Sequence, residues 1–90
     1  MRAVHCKKSS YTIYCGRPSP LGNPFEIGPG CTREQAIEKF EEHARNSPDL
    51  LEWIRVLPED AILGCWCKPK ACHCDIIIKL WEEMHASNDA

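Results

Sequence analysis

Three features of this 90-residue sequence predict an α/β fold: short β-branched or apolar runs near the start and at 61–67, apolar residues at helical spacing between them, and an amphipathic final stretch. Together they give a single small domain over residues 1–90, with a three- to four-stranded sheet, about three helices and a flexible tail from about 86 to 90. A chain of this length with 43% hydrophobic content can close one core, and it has little stability to spare.

Ala3-Val4-His5-Cys6 is short and β-compatible, and Tyr11-Thr12-Ile13-Tyr14-Cys15 is rich in aromatic and β-branched residues, so two strands are expected, paired as a hairpin. Between Gly16 and Phe25 the prolines at 18, 20 and 24 exclude regular helix and a central strand, which leaves a long, constrained loop. It continues through Gly28-Pro29-Gly30 to Thr32-Arg33-Glu34-Gln35, the spacing of a capping box, so a helix should begin at Arg33. Ala36, Ile37, Phe40 and Ala44 form its apolar stripe, and Pro48 ends it near Asn46. Asp49 to Leu57 suggests a second, shorter helix closed by Pro58. Ala61 to Cys67 reads as a buried strand with Cys65 and Cys67 on one face and Trp66 on the other. The last helix, Ile76 to Met84, places Ile77, Leu80, Trp81 and Met84 on one stripe. Trp53, Trp66 and Trp81 are read as core anchors.

The formal net charge of -2 supplies no general attraction to nucleic acid or to an anionic membrane. No apolar run approaches the roughly 20 residues that cross a bilayer, and Met1-Arg2-Ala3-Val4-His5 lacks a secretory apolar region, so a cytoplasmic location is expected. Seven cysteines would suggest a disulfide framework in a secreted miniprotein, but the odd number and the missing export signal favour reduced thiols. Cys6, Cys15 and Cys31 are assigned to packing.

The chemistry is expected where strand meets helix, because Cys65-Trp66-Cys67-Lys68-Pro69-Lys70-Ala71-Cys72-His73-Cys74-Asp75 concentrates thiols, an imidazole and a carboxylate there. This segment, Cys65-Trp66-Cys67-x-Pro69-x-x-Cys72-His73, follows an earlier Gly16-Arg17-Pro18-Ser19-x-x-Gly22-Asn23-Pro24-Phe25. With the two motifs in this order, the chain from about Tyr11 to Trp81 resembles domain-of-unknown-function family 4326, small proteins of bacteria and their phages. The resemblance implies one site built by both motifs, in a bacterial cell or a phage-infected host. Cys74 departs from the family pattern, which carries a small residue there, and this argues against an essential role for it.

Three chemistries compete for the site. The orphan amides at the last helix's start, with Arg17, Lys68 and Lys70, suit an anion, and phosphate-bearing nucleotides are the natural ligands; Ser19 lies on the same loop, and Asn23 would hydrogen-bond a base or sugar. Cys72 beside His73 and two lysines is where a thiol pKa should fall, which makes the pair candidate catalytic residues. Cys65, Cys67, Cys72 and His73 could instead bind zinc, with Cys74 as an alternative ligand, although Cys-x-Cys is not the usual C-x2-4-C knuckle. Asp75 is expected to cap the last helix. The leading reading is a protein holding a phosphate-bearing, nucleotide-like ligand between the two motifs. Its rival is a zinc-stabilised module that docks a host protein.

Overall fold

The computed structural model describes residues 1–16, 21–25, 27–66 and 70–86. The elements run β1 (Arg2–His5), β2 (Ile13–Tyr14), α1 (Arg33–Arg45), α2 (Pro48–Arg55), β3 (Ile62–Cys65) and α3 (His73–Ala86). This is the expected α/β class, with three helices and a three-stranded sheet.

The expected hairpin does not form. β3 lies between β1 and β2 and pairs parallel with both, Arg2 to His5 aligning with Ile62 to Cys65, and Ile13 and Tyr14 with Leu63 and Gly64. The segment 6–12 therefore carries the chain from one edge strand to the other, and Tyr11 rides over β3 on the way. Gly64 makes that passage possible, since a Cβ there would lie 2.6 Å from Tyr11 Cγ. Thr12 then anchors the crossover, its amide donating to the Ile62 carbonyl at 2.9 Å and its hydroxyl accepting from the Ile62 amide at 2.9 Å. Because all three strands are parallel, their carboxyl ends at His5, Tyr14 and Cys65 share one edge of the sheet.

The helices start where local chemistry directs them. Thr32 and Gln35 form the capping box of α1, and Ser47 caps α2 with Pro48 at its first position, where a missing amide is harmless. α3 begins three residues before the expected Ile76. Phe40, Ile54, Leu63, Ile77 and Leu80 are fully buried and make the core, joined by Cys15, Cys65, Cys72 and Cys74. α3 packs against α1, α2 and β1. Of the tryptophans expected in the core, Trp53 and Trp66 are exposed, Trp66 because it follows the last residue of β3; Trp81 is partly buried and donates its indole N–H to the Leu57 carbonyl at 2.9 Å. Among the described residues no helix is long and apolar enough to cross a membrane. The expected tail at 87–90 lies outside the described residues.

Candidate functional site

β3 ends at Cys65, α3 begins at His73, and the loop after β2 returns beside both. Cys72 stands at the start of α3 as a thiol cap: its Sγ accepts the Cys74 amide at 3.4 Å, and the Asp75 carboxylate in turn accepts the Cys72 amide at 3.2 Å. This is the reciprocal logic of a capping box with sulfur in place of hydroxyl, and it explains why the helix starts at His73. Two amides expected to bind an anion are thus already satisfied by side chains, and the Asp75 carboxylate occupies the electropositive helix end.

His73 is buried, and its Nε2 lies 2.8 Å from the Cys15 carbonyl and 3.0 Å from the Leu21 carbonyl. Carbonyls only accept, so Nε2 carries the proton and shares it between them. Nδ1 then faces Cys72 Sγ at 3.6 Å, and the ring packs edge-on against Phe40 with centroids 5.0 Å apart. The imidazole ties the end of β2, the Leu21 turn, α1 and α3 together.

The Cys65, Cys72 and Cys74 sulfurs lie within 4.8 Å of one another, all buried. Such a group of three thiols could hold a metal ion. The Cys72 thiol is pushed up to about 12, by the hydrogen-bonded Cys74 thiol first and by burial second, with His73 opposing. Cys74 is pushed up as well, chiefly by the adjoining Cys15 thiol. The sequence reading expected the reverse for Cys72. Burial among other thiols outweighs the lowering by His73 and favours the protonated thiol.

A cleft of about 320 Å³ opens beside this cluster, lined from the front by Gly16, Asn23, Phe25 and Ile27, from α1 by Arg33, Ala36 and Ile37, and from the back by Cys65, Trp66 and Ala71 to His73. Asn23 is built into its wall, accepting the Phe25 amide at 2.9 Å and donating to the Ala36 carbonyl at 3.2 Å. Arg33 crosses the cleft's rim to donate to the Ala71 carbonyl at 3.1 Å. At the other side the Trp66 indole N–H donates to the Tyr14 hydroxyl at 2.7 Å.

Of the sequence candidates, Asn23, Cys65, Cys72 and His73 meet at this cleft, and Lys70 is exposed next to Ala71. Arg17, Ser19, Cys67 and Lys68 lie outside the described residues. For the metal set, Cys74 joins Cys65 and Cys72, whereas the His73 ring nitrogens serve the Cys15 and Leu21 carbonyls and the Cys72 thiol. Sequence reasoning missed Arg33, which it treated only as the start of a helix, and Ile27, Ala36 and Ile37. A cation at a helix start directly after a Gly- and Pro-rich loop was the available signal for Arg33.

No curated protein and no solved structure matches the chain. A family model, Domain of unknown function (DUF4326), matches residues 2–83, which takes in both motifs and every element of the sheet. The chain belongs to the DUF4326 family.

Proposed function

We propose that the cleft binds a phosphate-bearing, nucleotide-like small molecule. The observation that supports this most directly is convergence: Gly16, Asn23 and Phe25 from the front motif and Cys65, Trp66, Cys72 and His73 from the back motif line one cleft at the carboxyl edge of a parallel sheet. Open parallel sheets take their ligands at that edge. At about 320 Å³ the cleft sits at the small end of ligand sites, which run ~300–1,000 Å³. In this reading Arg33 and Arg17 pair the phosphate, with Ser19, Lys68 and Lys70 around it, and Phe25, Ile27 and Trp66 offer apolar walls to a base. Asn23 shapes the wall rather than reading the ligand, since its amide serves the backbone. Phosphate goes to guanidinium groups in preference to the α3 amides because Asp75 and Cys72 already cap that end. Cys72 and His73 supply shape and polarity.

The test is thermal stabilisation by nucleoside monophosphates, with nucleosides and inorganic phosphate as controls. A nucleotide at ~100 times its Kd should add about 2.7 kcal/mol of stability, and Arg33→Ala should remove most of that gain while the free protein melts as before. No stabilisation by any nucleotide rejects the reading.

The close approach of the Cys65, Cys72 and Cys74 sulfurs favours a second reading, a zinc-stabilised module that docks a host protein, with Cys67 or Cys15 completing the set. Zinc would have to displace protons from thiols that burial keeps protonated. Elemental analysis of protein purified under reducing conditions decides it: about one zinc per chain, lost in Cys74→Ser, supports the module.

A further inference from the structure

The cleft is not isolated on the surface. Trp66 is shared by the cleft and a second hollow lined by Cys6, Lys7, Tyr11 and Tyr14, and that hollow shares Cys6, Lys7 and Tyr11 with a shallow groove running on to Lys8, Ser9 and Ser10. The three form a continuous path along the carboxyl edge of the sheet. Exposed aromatic and apolar surface gathers on it, as Tyr11 at 42%, Ile27 at 50% and Trp66 at 55%. Trp66 is held there by its bond to Tyr14 and by His5, which meets it edge-on at 5.8 Å.

The charge along the path is one-sided. Among the described residues that line it, Lys7, Lys8 and Arg33 carry charge and none is Asp or Glu, although the chain holds 13 acidic residues in all. Nine of the 13 acids lie on the helices, so a net charge of -2 conceals a locally basic path. Basic groups interleaved with an exposed tryptophan and tyrosines are the surface that single-stranded nucleic acids use, through phosphate pairing and base stacking.

We infer that this path binds a single-stranded nucleic acid, with one nucleotide in the cleft, the adjoining base stacked on Trp66, and the next phosphates paired by Lys7 and Lys8. The inference rests on the nucleotide reading of the cleft and extends it from a free nucleotide to a strand. In the free protein Lys7 Nζ sits 5.4 Å from the Trp66 ring centroid. That contact is worth ~0.5–1 kcal/mol at an exposed site, whereas a stacked base is worth ~1–3 kcal/mol, so a base displaces the lysine, whose flexible stem then delivers its charge to phosphate. Lys7 and Lys8 stand on a tight turn closed by the Lys8 and Ser9 amides on the His5 carbonyl, at 3.0 and 3.1 Å, so both cations keep a fixed root.

The experiment is fluorescence anisotropy of dye-labelled oligothymidylate on the full chain, comparing a single nucleotide with strands of about six. Affinity should rise at least tenfold with length. The double variant Lys7→Ala/Lys8→Ala should lose that gain, leave single-nucleotide stabilisation unchanged, and flatten the salt dependence of log K by about 1.4. Trp66→Ala should lose the gain and Trp66→Phe should keep most of it. If single nucleotides bind and length adds nothing, the strand inference falls and the cleft reading stands. If strands bind with no effect of Arg33→Ala and single nucleotides do not bind at all, both fall. Equal competition by polyphosphate, which has no bases to stack, would overturn the inference in favour of a general polyanion surface.

Discussion

His73 illustrates how a residue that looks chemical in sequence can be architectural in the fold. Beside Cys72 it resembles the base of a nucleophilic pair, yet its proton is shared by the Cys15 and Leu21 carbonyls, which stand 58 and 52 positions away in the chain. No local pattern announces partners so distant, which is why the dipeptide alone suggests a different role. Removing the ring takes the imidazole donor from the Cys15 carbonyl and opens space beside Phe40. His73→Ala should therefore destabilise the domain by roughly 3 kcal/mol in urea unfolding, whether or not a ligand is present. An unchanged unfolding midpoint would return His73 to the set of purely chemical residues. Gly16 is a second case. A Cβ there would lie 2.2 Å from the Tyr14 hydroxyl, so the glycine of the front motif lets Tyr14 reach across and hold Trp66.

At the scale of elements, legibility followed the range of the interactions. The start of α1 could be read because Thr32 and Gln35 cap each other three residues apart, with the Thr32 hydroxyl accepting the Gln35 amide at 3.2 Å and the Gln35 side chain accepting the Thr32 amide at 2.9 Å. Thr32→Ala should accordingly cost about 1 kcal/mol, measured by thermal unfolding, and Thr32→Ser should recover most of it. The cap also fixes Arg33, the first helical residue, at the rim of the cleft, so Thr32→Ala should weaken nucleotide binding as well if Arg33 acts as proposed. The order of the strands was not legible, because strands of two to four residues carry almost no register information of their own. β2 is specified by its partner β3, about fifty residues later, and by the gap that Gly64 leaves for Tyr11. α3 began early for a related reason: the capping carboxylate of Asp75 was expected, but Cys72 looked like site chemistry, and its part in the cap appears only once its thiol is seen to accept the Cys74 amide.

At the scale of the molecule, the thiol cluster joins the end of β2, the end of β3 and the start of α3, through Cys15, Cys65, Cys72 and Cys74. A small domain with a single core has no second region to hold it when that junction fails. The junction is built for protonated thiols, with Cys72 pushed from an ordinary 9.0 up to about 12 and Cys74 pushed up beside it. A thiol whose pKa is raised by folding contributes stability that is fully present below its unfolded value and is lost as pH rises toward its folded value. The loss from Cys72, shared with its partner Cys74, should thus begin near pH 9 and continue at roughly 1 kcal/mol per pH unit toward about 12. Summed over that window the loss is a few kcal/mol, a large share of the ~5–15 kcal/mol typical of whole domains, so stability should fall markedly toward pH 12. Urea midpoints measured from pH 8 upward under reducing conditions should fall steeply for the native sequence and more gently for Cys72→Ala, which starts lower because it leaves a small cavity and a lost helix cap. Added zinc separates the two readings of the cluster in the same experiment. Metal-bound thiolates have no proton left to lose, so a zinc site would flatten the alkaline slope, while a purely packed cluster would unfold at the same pH with or without the ion.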